Sequence, residues 1–245
     1  PSFGLVNRAG VKPLADLLDT IGFLARSVDD VALFAAATSG DRSLLQLETG
    51  ATPRIAMCAT HEWPHADVDT RMAMQQAAMR LAQAGVVVRD VQTPMLFSQL
   101  LQVQKEIMAY ELARSLSHER LRHADRLSAS LQSLLETGLR IQPESHWANI
   151  QLAYSARAKV SSAFGDSEVW LAPSTTGEAP ATLEQTGDPV FGRVWTLLGL
   201  PCVHLPFMTG QSGMPVGLQV VGRYGDDRVV LRIARWLMQR LVVKS

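Results

Sequence analysis

The sequence predicts an α/β protein, and three observations carry that reading. Strand-like and helix-like segments alternate along the chain. Residues 54–91 read as a strand, a helix and a second strand at the lengths of a compact βαβ-like unit. Beyond residue 165, short strand-like apolar runs are separated by Ser-, Gly- and Pro-containing segments such as Ser174–Gly177 and Gly210–Pro215.

The first element is a helix from Val28 to the region of Gly40. Ser27 and Asp30 form a capping-box-like pair at its start, and Gly40 suits the left-handed position after its end. Val31, Leu33, Phe34, Ala35 and Ala36 make it apolar nearly all round, so it is expected to be covered on most sides. A strand over Arg54–Ala59, a helix over about Asp67–Ala84 stopped by Gly85, and a strand over Val86–Val91 follow. The region from Pro94 to Gly165 reads as helices near Phe97–Ser117, Glu119–Gly138 and His146–Phe164, with a polar turn from Gly138 to Ser145. Val169–Pro173 is a buried strand that ends in Ser174-Thr175-Thr176-Gly177. Cys202–Pro206 and Val216–Gly222 are two more strands, joined by a turn at Gly210–Pro215. Asp226 is expected to cap a last helix whose stripe is Val230, Ile233, Ala234, Leu237, Met238 and Leu241.

Composition narrows the function classes. The chain has 245 residues, 47% hydrophobic and 19% charged, enough for one sizeable core. With 23 basic and 23 acidic residues its formal net charge is zero, which gives no long-range attraction to nucleic acid or to an anionic membrane. No run approaches the roughly 18 consecutive apolar residues of a membrane span, and no secretory signal opens the chain. Cys58 and Cys202 each sit in a short apolar run and read as two buried thiols of a cytoplasmic protein.

Short motifs narrow the chemistry further. His61-Glu62-Trp63-Pro64-His65 matches the H-E-x-x-H zinc signature, which needs both histidines one turn apart on a helix. Pro64 removes a backbone donor between them and the run directly follows a strand, so a β→α loop is the reading here. No hydrolase elbow, P-loop, C-x-x-C or dinucleotide fingerprint occurs. The six histidines are read as structural or surface groups. Ser174-Thr175-Thr176-Gly177 lies beyond the carboxyl end of a strand, where ligands of α/β sheets tend to sit; a plain surface loop is the alternative.

Two blocks of the chain resemble the amidase signature family. The first runs through Lys12-Pro13-Leu14-Ala15, Leu18-Asp19-Thr20-Ile21-Gly22 and Arg26-Ser27-Val28-Asp29-Asp30. The second is Gly199-Leu200-Pro201, Pro206, the stretch from Gly213-Met214-Pro215 to Gly222-Arg223, and Asp226-Asp227. The resemblance implies a mixed β-sheet core flanked by helices, with residues 1–245 forming the C-terminal part of a single amidase domain. It also implies hydrolysis of a carboxamide to an acid plus ammonia or amine through a serine acyl-enzyme, with no cofactor or metal. The family's machinery is a nucleophilic serine, a second serine and a lysine acting as base. None of the three can be placed on Lys12, Lys105, Lys159, Lys244 or the local serines, so the isolated chain is expected to be inactive.

What remains is a candidate pocket wall. Asp19 and Thr20 follow closely on the family's catalytic core, and Ser174 and Thr175 end a core strand. Trp195 and Thr196 precede Gly199-Leu200-Pro201, where many relatives carry asparagine, and a tryptophan there points to an apolar acyl or leaving-group pocket. Packing or capping is the competing explanation for each. The expected partners are a small-molecule amide substrate and a second copy of the chain, not nucleic acid or membrane. A glutaminase-like subunit of a tRNA-dependent amidotransferase and a non-catalytic scaffold derived from an amidase are the alternative functions.

Overall fold

The computed structural model describes residues 1–48, 50–183 and 186–241. Among these, the helices and strands run α1 Val28–Ser39, β1 Ile55–Cys58, α2 Val68–Gln83, β2 Arg89–Val91, α3 Leu100–Ser115, α4 Ser117–Arg122, α5 Ala129–Arg140, α6 Pro143–Ala163, β3 Val169–Pro173, α7 Val190–Leu198, β4 Cys202–Thr209, β5 Pro215–Gly222 and α8 Asp227–Arg240. The strands form one mixed sheet in the order β2-β1-β3-β5-β4. β1 pairs in parallel with both β2 and β3, so the βαβ reading of residues 54–91 holds. β5 runs antiparallel between β3 and β4.

Period-two alternation along the strands sends side chains to two different cores. Met57, Leu171, Val220 and Leu205 face α1, α2 and α8 through Ala32, Ala77 and Leu237. Ala56, Trp170, Ala172 and Val221 face α3, α6 and α7 through Ile107, Ala156 and Trp195. Phe164 stacks on Trp170 with 3.9 Å between ring centroids, and Trp195 tilts against Trp170 at 5.9 Å.

Local chemistry accounts for the element ends. Ser27 Oγ accepts from Asp30 N–H, and Gly40 ends α1 with φ 77°. Asp67 accepts from Thr70 N–H at 2.9 Å to start α2. The β4–β5 turn places Gly213 at φ 84°, and Glu178 Oε1 accepts from Ser212 N–H at 2.8 Å to fasten it.

The structure differs from the sequence reading at five places, the first being β2, which covers Arg89–Val91 rather than Val86–Val91 because Val86–Val88 make no ladder with β1. The helix expected over Glu119–Gly138 is two helices, α4 and α5, with Ser128 starting the second by accepting from Leu131 N–H. Gly138 belongs to α5, not to a turn: a Cβ there would collide with the Ala109 carbonyl of α3, so the crossing requires glycine. Asp226 stands at the start of α8 without a capping bond, and the neighbouring Asp227 accepts from Ser2 N–H at 2.7 Å. Finally, α1 is not covered on most sides. Its Val28, Ala32, Ala35 and Ala36 are buried, but Leu33 and Phe34 are 56% and 53% exposed.

Candidate substrate groove

β4 lies at the edge of the sheet, and a groove of about 670 Å³ follows it. That size suits a small molecule. Phe23 and Leu24 from the loop before α1, Trp195 and Thr196 from α7, and Leu200, Val203 and His204 from the α7–β4 segment contribute to its lining. Gln219 of β5 lines it as well.

Strand register builds the polar part of this groove. Ala172, Gln219 and His204 form one lateral row across β3, β5 and β4. Gln219 is buried, and its Nε2 donates to the carbonyls of Pro173 at 2.6 Å and Phe191 at 3.0 Å. Because both partners are carbonyls, only the amide nitrogen can face them, and the orientation of the side chain is thereby fixed. His204 Nδ1 lies 2.9 Å from Ser174 Oγ. Gly217 leaves space for the imidazole, since a Cβ there would run into His204 Cε1. Desolvation of the ring holds its pKa below the ordinary histidine value, which favours the neutral form.

Two of the residues singled out in the sequence, Thr20 and Trp195, line the groove. Trp195 is 2% exposed, and its indole Nε1 has no hydrogen-bond partner among the described residues. Ser174 reaches the groove through its bond to His204. Asp19 and Thr175 are occupied elsewhere. Asp19 Oδ2 accepts from Leu14 N–H at 2.8 Å, shaping its own loop. Thr175 Oγ1 donates to the Gly177 carbonyl at 2.7 Å, while the Thr175 carbonyl accepts from Thr70 Oγ1 at the start of α2. His204 and Gln219 do not stand out in the sequence as site residues. The available signal is a polar residue inside each of two otherwise apolar strand runs.

The remaining candidates have local roles. His61 Nε2 lies 3.1 Å from the Pro94 carbonyl, and Trp63–His65 forms a single 3₁₀ turn rather than a helix. Cys58 and Cys202 are both free; Cys58 is buried as expected, but Cys202 is only half-buried, at the start of the edge strand, and desolvation pushes the pKa of both thiols up to about 12.

The family model described as Amidase matches residues 1–231. A mitochondrial glutamyl-tRNA(Gln) amidotransferase protein of Macaca fascicularis is 22% identical over an alignment of 290 residues, covering 98% of this chain and 55% of that protein. A solved amidase structure superimposes with a TM-score of 0.87 at 26% identity, covering 98% of this chain and 57% of its own. A chain of an inhibitor-bound vestigial protein complex, described as revealing the evolutionary origins of an s-triazine catabolic enzyme, gives a TM-score of 0.85 at 24% identity, with 99% and 59% covered. The chain thus spans a little over half the length of these relatives. The two blocks recognised in the sequence, the mixed sheet and the model match agree, and the chain belongs to the Amidase family.

Proposed function

We propose that this chain forms one wall of a carboxamide hydrolase that releases ammonia or an amine through a serine acyl-enzyme. The observation that carries the reading is the groove along β4, apolar over most of its lining and ending at the Gln219–His204 row. Trp195 and Thr20 supply wall, and Ser174 steadies His204. Asp19 and Thr175 contribute by holding the adjoining loops. In this reading the nucleophilic serine, its bridging serine and the lysine are not among these 245 residues. The protein works in the cytoplasm on a small-molecule amide, without nucleic acid or membrane. No helix among the described residues is long and apolar enough to cross a membrane. Pairing of two copies through the open edge of β4 belongs to the same reading.

The name borne by relatives such as the M. fascicularis protein supports a second reading, a glutamine-hydrolysing component of a tRNA-dependent amidotransferase. Ammonia release from benzamide, propionamide and glutamine separates the two. The assay compares the 245-residue chain with the product of the whole reading frame containing its codons. The expected result is no turnover by the chain and benzamide or propionamide hydrolysis by the longer product. Turnover by the chain alone would place the nucleophile within it, and a longer product that releases no ammonia from any amide sinks the hydrolase reading.

A further inference from the structure

We infer that Gln219 and His204 together recognise an uncharged amide, with the Gln219 carbonyl oxygen accepting the amide N–H and the His204 ring meeting the same polar group. The inference rests on the amidase reading and names the substrate class within it. Gln219 spends both amide hydrogens on the Pro173 and Phe191 carbonyls, so the polar atom it retains for a ligand is an acceptor. Among the described residues, no hydrogen bond is made to that oxygen, although the side chain lines the groove. His204 stands directly opposite Gln219 in the β4–β5 register, and directly opposed residues hold their Cβ atoms about 4.5–5.5 Å apart. The two side chains therefore reach one small group.

The charge inventory of the groove argues for a neutral ligand. Among the described residues, no lysine, arginine or glutamate lines it. Its one carboxylate among them, Asp227, already accepts from Ser2 N–H. The imidazole is held toward its neutral form by desolvation. A free glutamine would bring an α-carboxylate and an α-ammonium into a site with no uncommitted counter-charge for either, and unpaired charges are costly to desolvate. An aromatic or aliphatic primary amide brings no such cost, and its hydrocarbon part can meet Trp195 and Leu200, which pack on the same face of the sheet as the Ala172–Gln219–His204 row.

The test is a titration of the full 245-residue chain, labelled with ¹⁵N, with benzamide, benzoate and glutamine while the His204 ring resonances are followed. Benzamide is expected to shift them saturably, with benzoate and glutamine at least about tenfold weaker. His204→Phe, at an exposed position, should weaken benzamide binding by about tenfold, as for one lost hydrogen bond; in that variant binding is followed on the ligand's own signals. Gln219→Met, checked for folding by near-ultraviolet circular dichroism, should weaken it by at least as much. Equal binding of benzoate or glutamine, an unchanged affinity in His204→Phe, or no saturable shift would each overturn the inference. Binding is read here without turnover. A longer product that fails to hydrolyse amides while benzamide still binds the pair would sink the amidase reading and leave the recognition pair standing.

Discussion

The two edges of the sheet are built in opposite ways. β2 offers three residues, and two of them, Arg89 and Asp90, are exposed and charged. β4 offers eight, Cys202 to Thr209, with no acidic, lysine or arginine side chain among them. Short, charged edges resist pairing with another chain, and long uncharged ones invite it. β4 is moderated only by Pro206 and a register irregularity between Pro206 and Met208. The edge that is left open is also the one that carries the groove. The lesson is that the polar pair at its floor sits on two paired strands, β5 committed on both sides and β4 with its outer edge available. Stability and recognition therefore separate at single-residue resolution along β4 and β5.

The sharpest way to break this comparison is to charge the inward face of β4. Leu205 is 4% exposed and packs in the core beneath α1 and α8. Leu205→Asp loses its buried apolar surface and buries a carboxylate without a partner, so a loss of about 3–5 kcal/mol is expected in urea unfolding. A loss below about 1 kcal/mol would mean that β4 is not a firm part of the sheet. One strand inward, Gln219→Leu leaves the Pro173 and Phe191 carbonyls without their donor. About 2–3 kcal/mol should be lost at any pH, because no titrating group is involved.

Much of the fold was legible in the sequence because its punctuation is local. β3 lies where the apolar run Val169–Pro173 ends in hydroxyls, and the Gly210–Pro215 turn joins β4 to β5. The errors fell where local signals pointed away from tertiary ones. Nothing between Glu119 and Ser128 breaks a helix as glycine or proline would, yet the chain bends there before α5. Gly138 looks like a stop but is kept small by the Ala109 backbone, and Pro143 opens α6 rather than extending a turn. The groove was half legible. Thr20, Ser174 and Trp195 carried family or strand-end signals. The Gln219–His204 row depends on antiparallel register between two separate strands, which no local pattern encodes.

A site remote from both edges gives a pH-dependent control. His146 is 7% exposed in α6, stacks on Tyr110 of α3 at 3.9 Å, and leaves Nδ1 without a partner among the described residues. Burial and then the nearby Arg114 charge lower its pKa. The folded state thus favours the neutral ring, so its contribution is present above the ordinary value near 6.5 and is lost as pH falls through that region. Glu111, raised by burial, has the opposite sign: its contribution holds below its ordinary 4.5 and is lost as pH rises. His146→Phe keeps the stack and removes one titration. Stability at pH 7 should change by less than about 1 kcal/mol, and the parent-minus-variant difference should fall between about pH 7 and pH 5. A difference that stays flat over that window would assign the pH dependence to groups other than His146.

The smallest effect on stability should accompany the most direct test of the edges. Replacing Arg89 and Asp90 together by valine removes the charges of β2 without touching a buried group, so unfolding free energy should stay within about 0.5 kcal/mol. What should change is association, because β2 then presents an uncharged edge as β4 does. Val203→Lys on β4 is the converse, placing a charge on a partly exposed position of the long edge. Sedimentation velocity over a concentration series should find the double valine variant more associated than the parent and Val203→Lys less. The shift should be larger for Val203→Lys, because β4 has eight residues available for pairing and β2 only three. If neither substitution moves the distribution, edge pairing does not govern self-association, and the contrast between the two strands bears only on where the groove can form.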